Sequence, residues 1–128
     1  MVDLDSYLAL HANALLLREQ RSVQLAKNLT NVDTPNYHAK DIDFTSALNK
    51  AMATSHPMVT NDPNHINVST PFSSELKYRQ TNQMSLDGNT VDKDLETIEF
   101  TKNTISYQAS LTFLEQKIRT MMTAIRGE

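Results

Sequence analysis

The chain has 128 residues, no cysteine, no tryptophan and a formal net charge of -3 at pH 7. This length fits one domain, and the acidic balance excludes the bulk attraction of a basic protein to nucleic acid or anionic lipid. The lack of cysteine excludes disulfides, thiolate metal sites and thiol nucleophiles. We therefore expect protein partners and no nucleic acid.

The N-terminal segment, residues 1–30, is predicted to contain a long helix over residues 4–30. Acidic residues lie at its start and basic residues in its later half, the charge order that suits the helix dipole. Apolar or small residues recur at helical spacing. They are Leu8, Ala12, Leu15, Ser22, Ala26 and Leu29. The pattern predicts a helix with one narrow apolar stripe.

A turn is predicted to end this helix within "LTNVDTPNYHAKDIDF", residues 29–44. Pro35 is incompatible with a continuing helix and pushes Thr34 toward extended geometry. Asn36 tolerates the left-handed conformation that a type II turn needs after proline. The chain therefore leaves the helix at one defined place.

The segment 31–90 is predicted to be a polar linker that joins two long helices. Within it, residues 44–52 place apolar side chains on one face and predict a short helix. Prolines and polar residues over 54–74 indicate an irregular connection. The alternations in residues 65–68 and 76–80 permit a small β-hairpin.

The C-terminal segment, residues 91–128, is predicted to be a second long helix with Asp92 as its N-cap. Apolar residues follow alternating spacings of four and three, with Thr104 at one position. We call this stripe the seam; it comprises Phe100, Tyr107, Leu111, Leu114, Ile118, Met121 and Ile125. A shorter second stripe lies beside it and comprises Val91, Leu95, Ile98, Ile105 and Ala109.

The predicted fold is a single, mainly α domain over residues 1–128, in which the two terminal helices pack as a coiled-coil-like pair. Leu, Ile, Val and Phe are few for this length, so an isolated monomer has limited material for a core. The seam could be the core of its own domain. Because the rest of the chain offers little apolar surface to cover it, we expect an interaction surface instead.

Catalytic and metal sites are not indicated. The four histidines show neither i, i+4 pairing nor an HExxH context, and "LDGNTVDKDLE" (86–96) does not place its oxygens as a calcium loop requires. The only glycines are Gly88 and Gly127, so no glycine-rich phosphate loop exists. We expect no catalytic residue, no metal and no cofactor.

The stretch "AKNLTNVDTPNY" (26–37) resembles the signature ANNxANxxTPGY of the bacterial flagellar axial proteins. The matching residues are Asn28, Asn31, Thr34, Pro35 and Tyr37. Asn36 stands where most members have glycine, and both residues permit the same backbone twist. The segments 39–44, 85–96 and 103–128 are similar to the short subunits of the proximal rod of the basal body.

The resemblance implies a structural subunit that assembles helically with copies of itself and other rod proteins, transmits torque and forms the export channel. It also implies contacts near the MS ring and export gate, and a place in the periplasmic rod without a direct membrane span. Export would use the flagellar type III apparatus and no cleaved signal peptide. The competing hypothesis is a cytoplasmic helical adaptor or type III secretion chaperone, because exposed apolar seams also suit that work.

Overall fold

The computed structural model describes residues 4–54, 75–80 and 85–127. Its elements in chain order are α1 (Leu4–Thr30), β1 (Lys40–Ile42), α2 (Phe44–Thr54), β2 (Leu76–Tyr78) and α3 (Lys93–Arg126). The two long helices and the short one confirm the mainly α prediction. The short helix begins at the predicted residue and extends to Thr54.

The terminal helices α1 and α3 pack against each other in antiparallel orientation. Asn28, near the end of α1, bonds to Glu96 at the start of α3, whereas Arg18, earlier in α1, bonds to Ser110 farther along α3. The helices contain 27 and 34 residues. At about 1.5 Å per residue they are roughly 40 and 50 Å long.

Both ends of α3 carry recognisable caps. The Asp92 side chain accepts hydrogen bonds from the backbone N–H groups of Asp94 (3.0 Å) and Leu95 (3.2 Å), which confirms the predicted N-cap. At the other end Gly127 adopts a left-handed conformation with φ of 74° and donates its N–H to the Thr123 carbonyl at 3.0 Å. These caps satisfy backbone groups that a helix cannot pair internally.

The buried face of α1 is not the predicted apolar stripe. Ala12 and Ala26 of that stripe are exposed. The described α1 residues that are buried are Leu17, Gln24, Leu25 and Asn28. The prediction was wrong because the buried face combines Leu17 and Leu25 with the polar Gln24 and Asn28, and spacing of apolar residues does not indicate the polar half.

A two-stranded antiparallel sheet joins distant parts of the chain. Lys40 pairs with Tyr78 and Ile42 with Leu76. The predicted strand at 76–80 is thus present over residues 76–78, and its partner is β1. Residues 65–68, predicted as the other hairpin strand, and most of the irregular connection 54–74 lie outside the described residues.

The apolar core is small. Leu17 of α1, Ile42 of β1 and Ala47 of α2 form its buried cluster, with Phe44 and Leu48 packed against it. The Arg18 guanidinium lies 4.3 Å from the centre of the Phe44 ring, and its Nε donates to the Ser110 hydroxyl of α3 at 3.2 Å. The core therefore lies where α1, β1 and α2 meet.

The predicted turn after α1 is present. The Tyr37 N–H donates to the Thr34 carbonyl at 3.4 Å, and Asn36 has φ of 58°, the sign that a type II turn requires at this position. Gly88 packs on this turn with φ of +69°, and a Cβ atom there would lie 2.6 Å from the Asn36 Oδ1. Position 88 thus favours glycine for its backbone conformation, and a larger residue there would also displace the Asn36 side chain.

We predict that Gly88→Ala lowers the free energy of unfolding by about 2 kcal/mol, from left-handed strain plus the clash with Asn36. Adding Asn36→Gly should remove the clash and restore that part of the stability, while the backbone strain at position 88 remains. Asn36→Gly alone should be tolerated. Urea unfolding of the purified variants measures both. Gly127→Ala is the matched control, because it has φ of +74° but nothing within 4 Å of the added Cβ. Equal losses at 88 and 127 would contradict the role of the Asn36 contact.

Candidate functional site

Asn28 of the predicted turn motif is the centre of a buried polar cluster. It is fully buried, and its Nδ2 donates to the Lys40 carbonyl at 2.8 Å and to Glu96 Oε2 at 3.2 Å. Its Oδ1 accepts from Gln24 Nε2 (3.2 Å), the Tyr37 hydroxyl (3.2 Å) and the Lys40 N–H (3.3 Å). One side chain therefore ties together α1, the turn, β1 and α3.

The other motif residues stabilise the end of α1. Asn31 Nδ2 donates to the Lys27 carbonyl at 2.7 Å, and the Thr34 hydroxyl donates to Asn31 Oδ1 at 3.2 Å. Pro35 and Asn36 form the exposed centre of the turn. The structure thus brings all six motif residues into one continuous turn, with Asn28 and Tyr37 facing inward and bonded to each other.

Asn89 holds this turn against the segment that leads into α3. Its Nδ2 lies 3.0, 2.6 and 3.0 Å from the carbonyl oxygens of Asn31, Val32 and Thr34, so its two hydrogens serve three acceptors. Its Oδ1 accepts the Val91 N–H at 2.8 Å. Asn89 is also buried. Its amide therefore pairs carbonyl groups at the end of α1 that the helix itself leaves unpaired.

An ionic network extends the Asn28 cluster across the molecule. Arg21 of α1 donates Nε to Asp41 Oδ1 at 2.9 Å and Nη2 to Asp41 Oδ2 at 2.8 Å, the paired geometry favoured by guanidinium and carboxylate. Its Nη2 also lies 2.8 Å from Glu99 of α3. Arg79, just after β2, donates to Asp41 and, at 2.8 Å, to Glu96. Two arginines and three carboxylates therefore link four separate segments.

The network shifts the pKa values of its members in different directions. Burial tends to raise the pKa of Asp41, but the hydrogen bonds from Arg21 and Arg79 outweigh it and leave that pKa below its usual value. Burial raises the pKa of Glu96, and the bonds from Asn28 and Arg79 only partly oppose the rise. The hydrogen bond to Asp41 raises the pKa of Arg21. Asp41 is thus held ionised, whereas Glu96 is less well compensated.

The seam residues fall into a half-buried group and an exposed group. Tyr107, Leu114 and Met121 are half-buried. The exposed members are Phe100, Leu111, Ile118 and Ile125. Ile98 and Ile105 of the second stripe are also exposed, at 61% and 62%. Their role in assembly stays a prediction.

The inner face of α3 is polar where α1 covers it. Its buried residues are Glu96 and Asn103. Asn103 Nδ2 donates to the Arg18 carbonyl at 2.9 Å and to the Ser22 hydroxyl at 2.7 Å. Its buried Oδ1 has no hydrogen-bond partner among the described residues.

The described residues contain neither a cluster of metal-ligand side chains nor a helix suited to span a membrane. No group of three or more His, Asp or Glu side chains that could bind a metal ion occurs within residues 4–54, 75–80 and 85–127. His38 packs edge-on against Tyr78, and His56 and His65 lie outside the described residues. None of the helices described has the length and apolar character needed to cross a membrane.

Known proteins of similar sequence identify the family. No family model matches the chain. It is 45% identical over 132 residues to the flagellar basal body rod protein FlgB of Escherichia coli (strain K12), covering 97% of this chain and 96% of the relative. The chain therefore belongs to the FlgB family of flagellar basal body rod proteins. FlgB of Cereibacter sphaeroides (strain ATCC 17029 / ATH 2.4.9) is 43% identical over 122 residues, covering 94% of each chain. FlgB of Salmonella typhimurium (strain LT2) is 41% identical over 133 residues, covering 97% of this chain and 96% of the relative.

Membership of the FlgB family confirms the resemblance suggested by the turn motif, and these relatives are named as rod proteins, which is a structural role. The sequence reasoning nevertheless missed five residues that hold the motif in place. They are Arg21, Asp41, Arg79, Asn89 and Glu96. Each lies in or beside a segment noted for another reason, but their pairing depends on contacts distant in sequence.

We predict that Asn28→Ala lowers the free energy of unfolding by about 3 kcal/mol, because it leaves buried partners, including the Glu96 carboxylate, without a hydrogen bond. Thr30→Ala, an exposed change that removes the hydroxyl bond to the Lys27 carbonyl and a 3.5 Å contact from Asn31 Nδ2, should alter it by about 0.5 kcal/mol or less. Urea denaturation of both purified variants checks this. Similar midpoints for the two would show that the Asn28 cluster is energetically unimportant.

The stabilisation that Asp41 provides should depend on pH. Because the pKa of Asp41 is lowered by folding, its contribution is fully present above the unfolded pKa of about 3.9 and is lost as pH falls through the lower folded value. Asp41→Asn should therefore cost about 3 kcal/mol at pH 7, and this difference from the natural chain should shrink below about pH 4.

Asp43→Asn is the matched control for the pH measurement. Asp43 forms an exposed ion pair with Lys77 at 2.9 Å and accepts the Ser46 N–H, a bond that asparagine can also accept. Its substitution should cost much less than Asp41→Asn, because water screens an exposed ion pair. Denaturation at a series of pH values provides the test, and an Asp41→Asn difference that stays constant down to pH 2.5 would contradict the assignment.

Proposed function

We propose that this chain is a structural, non-catalytic subunit of the proximal rod that assembles helically with copies of itself and with other rod proteins. Membership of the FlgB family supports the basal-body location. The observation that carries the assembly role is the exposed half of the seam on α3. Apolar residues repeated along one side of a long helix are typical of a surface that another helix covers.

The distribution of side chains on α3 strengthens this proposal. The face toward α1 buries Glu96 and Asn103, whereas Leu111 and Ile125 remain 48% and 84% exposed. The most deeply buried residues of α3 are thus polar, whereas its seam residues are either half-buried, as are Tyr107, Leu114 and Met121, or exposed. Neighbouring subunits would remove that apolar surface from water and supply stabilisation that the monomer lacks.

The same proposal covers the finer features of the role. The terminal helices line the export channel, the turn motif and ionic network carry torque between the helix pair and the middle segment, and the base of the rod contacts the MS ring and export gate. Delivery uses the type III apparatus without a cleaved signal peptide. The support is the family relationship together with the network that joins Arg21, Asp41 and Arg79.

We predict that Leu111→Asp leaves the purified monomer folded and abolishes rod completion and motility. Leu111 is exposed, so its change should alter the free energy of unfolding by about 0.5 kcal/mol or less. In an assembled contact the new charge would be buried at a cost of several kcal/mol. Circular dichroism, urea unfolding, motility and isolation of basal bodies provide the readouts.

Thr112→Asp is the control, because this exposed neighbour adds the same charge to α3 away from the seam. It should assemble normally. Loss of stability in the Leu111→Asp monomer would indicate an ordinary intramolecular core. Recovery of the natural chain only from the cytoplasm and never from basal bodies would instead favour a helical adaptor or secretion chaperone.

A further inference from the structure

A short turn before α3 presents one leucine to solvent beside one acidic residue. The Gly88 N–H donates to the Ser85 carbonyl at 3.1 Å and closes the turn, at which Leu86 is fully exposed. Asp87 follows it, and its carbonyl accepts the Asn36 N–H at 2.9 Å, which fixes the turn against the motif at the end of α1. We call residues 85–88 the Leu86 turn. No residue within 4–54, 75–80 and 85–127 covers this leucine.

An apolar groove bordered by basic residues lies near the C-terminal end of α3. Ile118 and Met122, one helical turn apart and 40% and 46% exposed, provide its apolar surface. Arg119 and Arg126 border it, and Glu115 and Thr123 complete the lining. We call it the Ile118 groove; its volume of about 360 Å³ is ample for a leucine side chain. Among the described residues that line it, two are arginines and one is a glutamate.

The turn and the groove cannot meet within one chain. The Leu86 turn precedes Asp92, the cap of α3, and the groove is centred near Arg119 on the same helix. A straight helix rises about 1.5 Å per residue, which separates them by roughly 40 Å. A contact between them therefore joins two copies through different surfaces. Such a heterologous contact repeats along an open helical assembly when the rotation does not close a ring.

We propose that the Leu86 turn of one copy docks into the Ile118 groove of the next copy and forms a head-to-tail contact. Leu86 would cover Ile118 and Met122, and the Asp87 carboxylate would face the guanidinium groups of Arg119 and Arg126. Charge complementarity and the exposed apolar groups on both surfaces select a second copy of this chain as the occupant. The inference rests on the proposed rod function and names the partner surface for one end of the seam.

Disulfide trapping tests the contact directly, because the natural chain contains no cysteine. Cells carry Leu86→Cys and Met122→Cys in the same chain, basal bodies are isolated and oxidised, and the protein is separated without reductant. The contact predicts covalent dimers and larger multimers of this chain. When two strains carry one variant each, neither should give dimers, whereas co-expression of the two single variants should give a mixed dimer.

Monomer alone in isolated basal bodies would overturn the proposal, and so would a product that links this chain only to a different rod protein. In either case the chain's presence in basal bodies would leave the proposed rod function intact. Absence of the natural chain from basal bodies would overturn the rod function itself.

Charge exchange provides a second measurement that does not depend on cysteine chemistry. Asp87→Arg and Arg119→Asp should each reduce motility at least tenfold while leaving the circular dichroism of the monomer unchanged, since both side chains are exposed. The double variant restores opposite charges and should recover most of the motility. Thr112→Arg is the control for an added charge on exposed α3. Failure of the double variant to recover would overturn the proposed pairing.

Discussion

The buried bond between Asn28 and Glu96 is the interaction on which the arrangement of this subunit depends. These residues lie 68 positions apart, on different terminal helices, and the same two side chains also engage β1 and the residue that follows β2. Removing one partner would leave a buried carboxylate or amide without compensation. The cluster therefore selects one relative placement of the helices and the middle segment, because a displaced arrangement would leave several polar groups unpaired together.

A buried polar cluster specifies an arrangement more effectively than it stabilises one. Removing charges from water offsets much of the attraction between them, so an ion pair such as Arg79 with Glu96 adds modest net stability. The raised pKa of Glu96 indicates that its compensation is incomplete. Asn103 adds a buried oxygen without a partner in the described part of the chain. The contact between α1 and α3 is thus specified largely by polar groups, while four seam residues of α3 remain exposed outside it.

The parts of the fold that could be predicted from sequence are those governed by local rules. Asp92 as a cap, proline at the turn and the left-handed Asn36 each follow from the geometry of a few adjacent residues. The buried face of α1 could not be predicted in this way, because Gln24 and Asn28 are buried by their partners and not by apolar character. Hydrophobic periodicity carries no information about such a face.

The candidate site likewise combines features that adjacent residues predict with features that depend on distant contacts. The turn motif was found as a string of residues and shows the family, but the string does not say that Tyr37 bonds to Asn28 or that Asn89 caps the helix end. The pairing of β1 with β2 depends on distant segments, and Asp41 contacts residues 20 and 38 positions away, whose approach is decided by the whole fold. The seam was visible as periodicity, yet only the packing of α3 separates exposed Ile118 from half-buried Leu114.

The firm break after α1 follows from these connections. Asn89 holds the carbonyl groups at the helix end from one side, and Asn28 holds β1 from the other, so the turn is fixed at two points. A rotation of β1 about the end of α1 would have to break the Asn28 bonds and the Arg21 contact with Asp41 at the same time. Because those losses occur together, the described part of the middle segment moves with the helix pair as one body.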